Sequence, residues 1–317
     1  MLRYILTRLA LAVPTLLGAA VVIFLALRVL PGDVVEMKFA ADGAAITEEA
    51  LERERERLGL NEPLIVQFAD WMVGLATLDF GTSMWTGRPV VDEIAPRLPG
   101  TLQIAAFATI LAMVIGIPLG ALCALSPNSV LDYAFRIVTL LGLAIPTFWL
   151  GMLFVLMLLQ FFNWLPPITY VSFFKDPLAN FAIVFWPSLT IAVRYAAIIA
   201  RMMRSSLIEI LTEDYIRTAR AKGLRNRIIT VRHGMSNAML PTVTLVGLEA
   251  GFLVGGVVVT EQVFNINGLG KLLLQAANNH DYVLIQAIVM LTAFAFITVN
   301  VIVDIVIAIL DPRVRYS

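Results

Sequence analysis

The chain carries one cysteine and two histidines in 317 residues. With Cys123 alone, no disulfide closes within the chain and no thiolate cluster can hold a metal. His233 and His280 are too few for a His-based centre, so no metal site is expected. Charge is scarce as well. Asp, Glu, Lys and Arg make up 15% of the residues, against roughly 25% in an average soluble domain. The 23 basic and 23 acidic residues cancel, which removes the basic excess that a nucleic-acid binder needs. Catalytic signatures are missing too: there is no His-Glu-x-x-His and no Gly-x-Ser-x-Gly. Asn265 to Leu272, NINGLGKL, has only the outline of a phosphate loop, because Asn265 replaces the first Gly and Leu272 the Ser/Thr. His280-Asp281 lacks a third partner and reads as a solvated surface pair. No catalytic residue is assigned.

What the chain has is hydrophobic residues, 59% of the total, with a mean hydropathy of +0.86. They gather in six runs, near 9–29, 102–125, 135–160, 181–200, 239–260 and 284–310. A helix needs about 20 mostly apolar residues to cross a ~30 Å hydrocarbon core, and only helices or closed barrels satisfy every backbone group there. The expected fold is therefore an all-α polytopic membrane protein with six transmembrane helices. The first run, behind Arg3 and Arg8, reads as an uncleaved signal-anchor. It is long, and it ends at Leu30-Pro31-Gly32 without a small-x-small cleavage site. Pro118, Pro146 and Pro187 predict kinks.

Charge distribution sets the orientation. Residues 201–241 hold eight Lys/Arg (Arg201, Arg204, Arg217, Arg220, Lys222, Arg225, Arg227, Arg232) against Glu209, Glu213 and Asp214. Such a loop belongs in the cytoplasm. Six spans then put both termini there, consistent with Arg3, Arg8, Arg313 and Arg315. Residues 31–100 fall outside, with thirteen acidic and six basic residues. Two short helices are expected in this segment. One starts at an N-cap Thr47, carries Glu48 and Glu49 in its first turn and an i,i+4 pair Glu49–Arg53, and ends at Gly59. The other starts with Pro63 in its first position and aligns Leu64, Phe68, Trp71 and Leu75. Their apolar face lies on the bundle, in the headgroups, or against an external partner. The expected division is 1–30, an anchor helix; 31–100, an extracytoplasmic segment; and 101–317, a five-helix core with its cytoplasmic loop at 201–241. No internal repeat is evident, which weakens an inverted-repeat transporter.

Within the spans the ionisable residues are Arg194, Glu249 and Asp304, with Glu261 at an edge. Such groups face the bundle interior, a cavity or each other. Asp304, near a span end, reads as a pair or a snorkelling residue; Glu249 is the better pathway candidate. Gly247, Gly251 and Gly255 form one small-residue face, and Gly116, Gly120 and Ala124 another. Each permits close helix packing, or a smooth face lining a pathway.

The most informative stretch is Glu213 to Pro241. A helix over Asp214–Ala221 would align Tyr215, Ile216 and Ala219 on an apolar face framed by Arg217, Arg220 and Lys222, with Gly223 as its C-terminal stop. A short basic amphipathic helix between two spans binds anionic headgroups or docks into a groove of a cytoplasmic protein. The physics leaves both open.

This stretch, Tyr215-Ile216-Arg217-Thr218-Ala219-Arg220-Ala221-Lys222-Gly223-Leu224 with Asn237-Ala238 and Leu240-Pro241, resembles the EAA loop of bacterial ABC-importer permeases, in particular the dipeptide/oligopeptide/nickel branch. Leu58 to Leu64, Asp79 to Ser83, Arg97 to Leu102, Ile145 to Gly151, Asn267 to Gly270 and Leu310 to Arg313 are similar to the same branch. Arg217-Thr218 stands where the general motif has Glu-Ala, and His233 stands where it has Ile. The resemblance implies a type I permease fold and a non-catalytic subunit of the bacterial inner membrane. It implies a pathway shared with a second homologous permease, for peptides or a related small solute. It also implies an external solute-binding protein, and two ATPase subunits that bind ATP and Mg and engage the helix formed by Asp214, Tyr215, Ile216, Arg217, Ala219, Arg220, Ala221, Lys222 and Gly223. This chain would bind no cofactor itself. The alternative is an ion-coupled secondary transporter using Glu249 and Asp304. Substrate identity is not written in this chain.

Overall fold

The computed structural model describes residues 2–29, 35, 47–57, 59–167 and 169–310. Leu30-Pro31-Gly32, Leu58, and Asp311 to Arg313 with Arg315 lie outside the described residues, as does the side chain of Arg3. The elements are α1 (Leu2–Val29), α2 (Glu48–Arg57), α3 (Leu64–Thr77), α4 (Val90–Ile94), α5 (Leu98–Leu125), α6 (Val130–Ala144), α7 (Thr147–Phe162), α8 (Pro177–Leu211), α9 (Asp214–Ala221), α10 (Asn226–Ile228), a π-helical turn (Ile229–Met235), α11 (Ser236–Gly256), α12 (Val258–Val263), α13 (Leu269–Asn278) and α14 (Tyr282–Leu310). Among the described residues the one β feature is an isolated bridge between Thr82 and Pro89.

Five helices are each long and apolar enough to cross a membrane. The expected third span, 135–160, is instead the pair α6 and α7, bent by 98° at Ile145-Pro146. Pro146 offers no N–H and drives Ile145 out of the helical region, to ψ 123°. α5 and α8 stay helical through Pro118 and Pro187. The expected loop 201–241 is also mostly helix. α8 continues to Leu211 because Met203 and Leu207 keep its buried stripe going, α9 follows at Asp214, and helix resumes again at Asn226.

Small residues set the centre. A Cβ on Gly116 would stand 2.8 Å from the Ala196 carbonyl oxygen, and one on Gly120 would collide with that of Ala200. Ala124 packs with Met203 and Leu207, and the Ser188 hydroxyl donates to the Ile104 carbonyl at 3.2 Å. The Gly116 face therefore serves packing of α5 on α8 within the chain. Gly247 and Gly251 do the same for α11 on α14, abutting Val303 and Phe296, whereas Gly255 faces open space. α1 joins α14 through Arg8 and Asp304, 3.2 Å apart.

Described parts of the segment between α1 and α5 pack on the bundle. Gly59, at φ +65°, and Leu60 close α2 by donating to the carbonyls of Glu56 and Arg55 at 3.0 Å each. Arg53 Nε donates to the Glu49 backbone carbonyl, at 3.1 Å, so the expected pairing with the Glu49 carboxylate gives way to a backbone contact. Pro63 sits just before α3 rather than in its first turn. Phe68 and Trp71 of α3 pack on Phe24 of α1, at ring distances of 5.3 and 6.1 Å. The Phe68 and Trp71 part of that face therefore lies on α1, while Leu64 stays exposed.

Candidate functional site

α9 occupies the residues expected for it. Only Thr212 and Glu213 separate it from α8. It closes with Gly223 at φ +75°, whose N–H donates to Arg220 at 2.9 Å while Leu224 donates to Ala219 at 3.3 Å. This is the left-handed cap that a residue with a Cβ adopts only under strain. The side of the helix that is buried corrects the sequence expectation. Ile216 and Ala219 are covered by Ile229 and Leu211 of the same chain, so the apolar face holds α9 to its own subunit. Tyr215, on the same side as Ala219, ties the helix further: its hydroxyl donates to the His233 carbonyl at 3.3 Å and accepts from Asn237 Nδ2 at 2.8 Å. What α9 offers a partner is the polar surface of Asp214, Arg217, Thr218, Arg220, Ala221 and Lys222, all exposed. The Arg217–Asp214 pair, at 3.2 Å, is solvent-exposed and weak. A cleft of about 820 Å³ opens beside the helix, walled by Leu125, Ile208, Leu211, Arg220 and Arg227.

The second group of expected residues, Gly247, Glu249, Gly251 and Gly255, lies on α11, away from α9. Glu249 is half-buried, and Arg194 on α8 is close enough to act on it electrostatically. Neither makes an ion pair within 4 Å among the described residues. Asp304 is committed to Arg8. Of the two carboxylates the ion-coupled alternative required, one is therefore a structural pair.

Three carboxylates prove more structural than their sequence context suggested. Asp132 is fully buried and takes a bidentate pair from Arg204, at 2.6 and 2.7 Å, with Arg136 at 2.9 Å and the Asn128 N–H at 3.0 Å. It links α6 to α8. The cap Ser129, accepting from the Asp132 N–H at 3.2 Å, was the local signal, three residues ahead of an acid.

Glu261 is also fully buried. It accepts from the Thr101 hydroxyl at 2.6 Å and the Lys271 N–H at 2.9 Å, and from the Gly270 N–H. The NINGLGKL turn thus cradles an anion, and that anion is the chain's own carboxylate. A Cβ on Gly268 would occupy its place.

Asp281, 1% exposed, is no surface residue. It accepts from the Ser83 hydroxyl, from Met84 N–H at 3.2 Å and from Leu284 N–H at 3.2 Å. It fastens the turn after α3 to the start of α14. Asp281→Ala should release this turn, raising amide hydrogen exchange at Met84 and Trp85, whose N–H groups Asp281 holds, about ten-fold, as expected when local opening governs exchange. Unchanged exchange would count against the fastening role.

Comparison with known proteins agrees with this architecture. Residues 116–316 match the family described as binding-protein-dependent transport system inner membrane component, and residues 1–105 match its N-terminal family. The glutathione transport system permease protein GsiC of Salmonella typhimurium (strain LT2) is 39% identical over 317 residues, covering all of both chains. Its counterpart from Escherichia coli (strain K12) is 37% identical over the same span. An inward-facing structure of the MetNI methionine ABC transporter shares the fold. It has a TM-score of 0.50 and 20% identity, covering 67% of this chain and 93% of that one. With matches running from α1 through α14, the chain belongs to the inner membrane components of binding-protein-dependent transport systems, the permease subunits of ATP-binding-cassette importers.

Proposed function

We propose that this permease imports short peptides or a peptide-like thiol such as glutathione, the solute named for its full-length relatives. An external binding protein delivers the solute, and a second homologous permease supplies the other half of the pathway. Both termini and α9 face the cytoplasm, where two ATPase subunits hold ATP and Mg and grip α9 by its exposed face. One observation carries this reading: α9 is a rigid peg with its apolar side locked inward and a charged side free. It joins α8 directly and α11 through the π turn.

The same two helices carry Arg194 and Glu249. Charges in a span are costly against lipid, so the face bearing them turns toward the second permease and the aqueous path. A push on α9 therefore moves the helices that line the path. ATP biases the equilibrium because the closed ATPase pair grips one arrangement of the pegs better than the other. The test is uptake of labelled glutathione and dipeptides by proteoliposomes holding the complete complex. Uptake that needs ATP and survives collapse of the proton gradient is expected. Uptake driven by the gradient without ATP would return Glu249 to an ion-coupling role.

A further inference from the structure

A cavity of about 320 Å³ lies between α6 and α8, lined by Phe135, Arg136, Thr139, Leu140, Arg201, Arg204 and Ser205. Among the described residues three guanidinium groups border it and no carboxylate does. Asp132, behind Arg136 and Arg204, offsets only part of that charge. Arg201 is exposed and has no hydrogen-bond or ion-pair partner among the described residues. Arg136 keeps a buried Nε without an acceptor. A cavity so lined is short of an anion. Its remaining wall is apolar: Leu140 is 59% exposed, and along the same helix Ile137 and Val138 present hydrocarbon outward.

Its depth fits a membrane surface. Arg201 lies 24 residues beyond Pro177, the start of α8. At 1.5 Å per residue that is about 36 Å, just past a ~30 Å hydrocarbon core. Arg204 is one turn further on, toward α9.

We infer that this cavity holds the phosphate of an anionic phospholipid, with Arg201 and Arg136 as its ligands and its acyl chains along Leu140. Anionic lipid is attracted to basic pockets between spans at the cytoplasmic side. Planar guanidinium groups suit a phosphodiester. Asp132 holds Arg204 in place, leaving Arg201 free for the ligand. The inference rests on the proposed orientation. Labelling an Arg217→Cys variant from one side of the membrane tests that orientation separately, since native Cys123 is buried.

The binding test needs no orientation. The purified full chain is offered phosphatidylglycerol or phosphatidylcholine, and retained lipid is read by native mass spectrometry. One phosphatidylglycerol per chain should be retained in preference to phosphatidylcholine. Arg201→Gln should bind it about five-fold more weakly, the effect of one cation near a membrane surface. Arg201→Lys should keep most of the binding. Arg201 has no partner among the described residues, so Arg201→Gln should unfold at the same temperature as the parent. Equal retention of the two lipids, or unweakened binding by Arg201→Gln, would overturn the assignment. Displacement by millimolar inorganic phosphate would also overturn it and make the cavity a site for the soluble anion.

Discussion

Ala219→Asp should abolish ATP-dependent uptake, by roughly a hundred-fold or more, while the chain still reaches the membrane in normal amount. Position 219 is 7% exposed and packs on Ile216 and Ile229. A carboxylate there has no counter-charge inside the cluster, and burying it unpaired costs several kcal/mol. An eight-residue helix has little stability of its own. It stays folded because this cluster and the Tyr215 hydrogen bonds hold it. The cheapest response is therefore for α9 to leave its seat, not for the bundle to unfold. The spans, whose packing is independent of α9, should be unaffected. Two readings accompany the uptake assay. Trypsin should cut more readily at Arg217 and Arg220, and the ATPase subunits should co-purify poorly. Ala219→Ser, which adds one hydroxyl in place of a charge, should retain most activity. Full uptake by the Ala219→Asp variant at normal expression would remove α9 from the coupling pathway.

How much of this was legible beforehand divides by the range of the interaction. The bounds of α9 and its Gly223 stop came from local signals, a helical stripe followed by a left-handed cap, and both hold. The stripe said that one face is buried but not against what. Ile229, thirteen residues beyond Ile216, claims that face after the chain has turned back. Glu261 pairs with Thr101 across 160 residues and Asp281 with Ser83 across 198. No periodicity or spacing rule reaches that far. Read locally, Glu261 is only a charge at the edge of a span, with no partner named, and Asp281 beside a histidine is a surface residue. Pro146 marked a break, but its angle is set by how α7 lies on the bundle, where Gly151 faces Phe264 and Thr190. Asp132 was the near miss: the capping pattern was local, but the expected span began at 135 and excluded it.

Glu261→Ala should lower the unfolding free energy of the permease by about 3 kcal/mol, the cost of leaving buried donors without an acceptor. Three groups lose their partner at once: the Thr101 hydroxyl and the Gly270 and Lys271 N–H groups at the start of α13. α13 packs Leu269, Leu272 and Ala276 into the cluster with Val90, Ile94 and Leu284, so loosening its first turn strains the whole end of the bundle. Glu261→Gln separates shape from charge. It fills the same space and keeps one acceptor oxygen, but its amide nitrogen would meet an N–H donor, so an intermediate loss is expected.

The acid-base behaviour gives an independent check. Burial pushes the Glu261 carboxyl above its ordinary value, and the hydrogen bonds from Thr101, Lys271 and Gly270 only partly oppose this. Between the ordinary carboxylate value and the raised one, the folded chain holds more proton than the unfolded chain. Stability from this group is therefore fully present below the ordinary value. It is lost as the pH rises through the raised one, and is level beyond it. Unfolding temperatures measured against pH should show that decline in the parent and a flatter profile in Glu261→Gln, compared over the same window. A parent profile that climbs through this window while the Gln variant stays flat would mean that the hydrogen bonds outweigh burial. Glu261 would then be a stabilising anion in its cradle rather than a tolerated one.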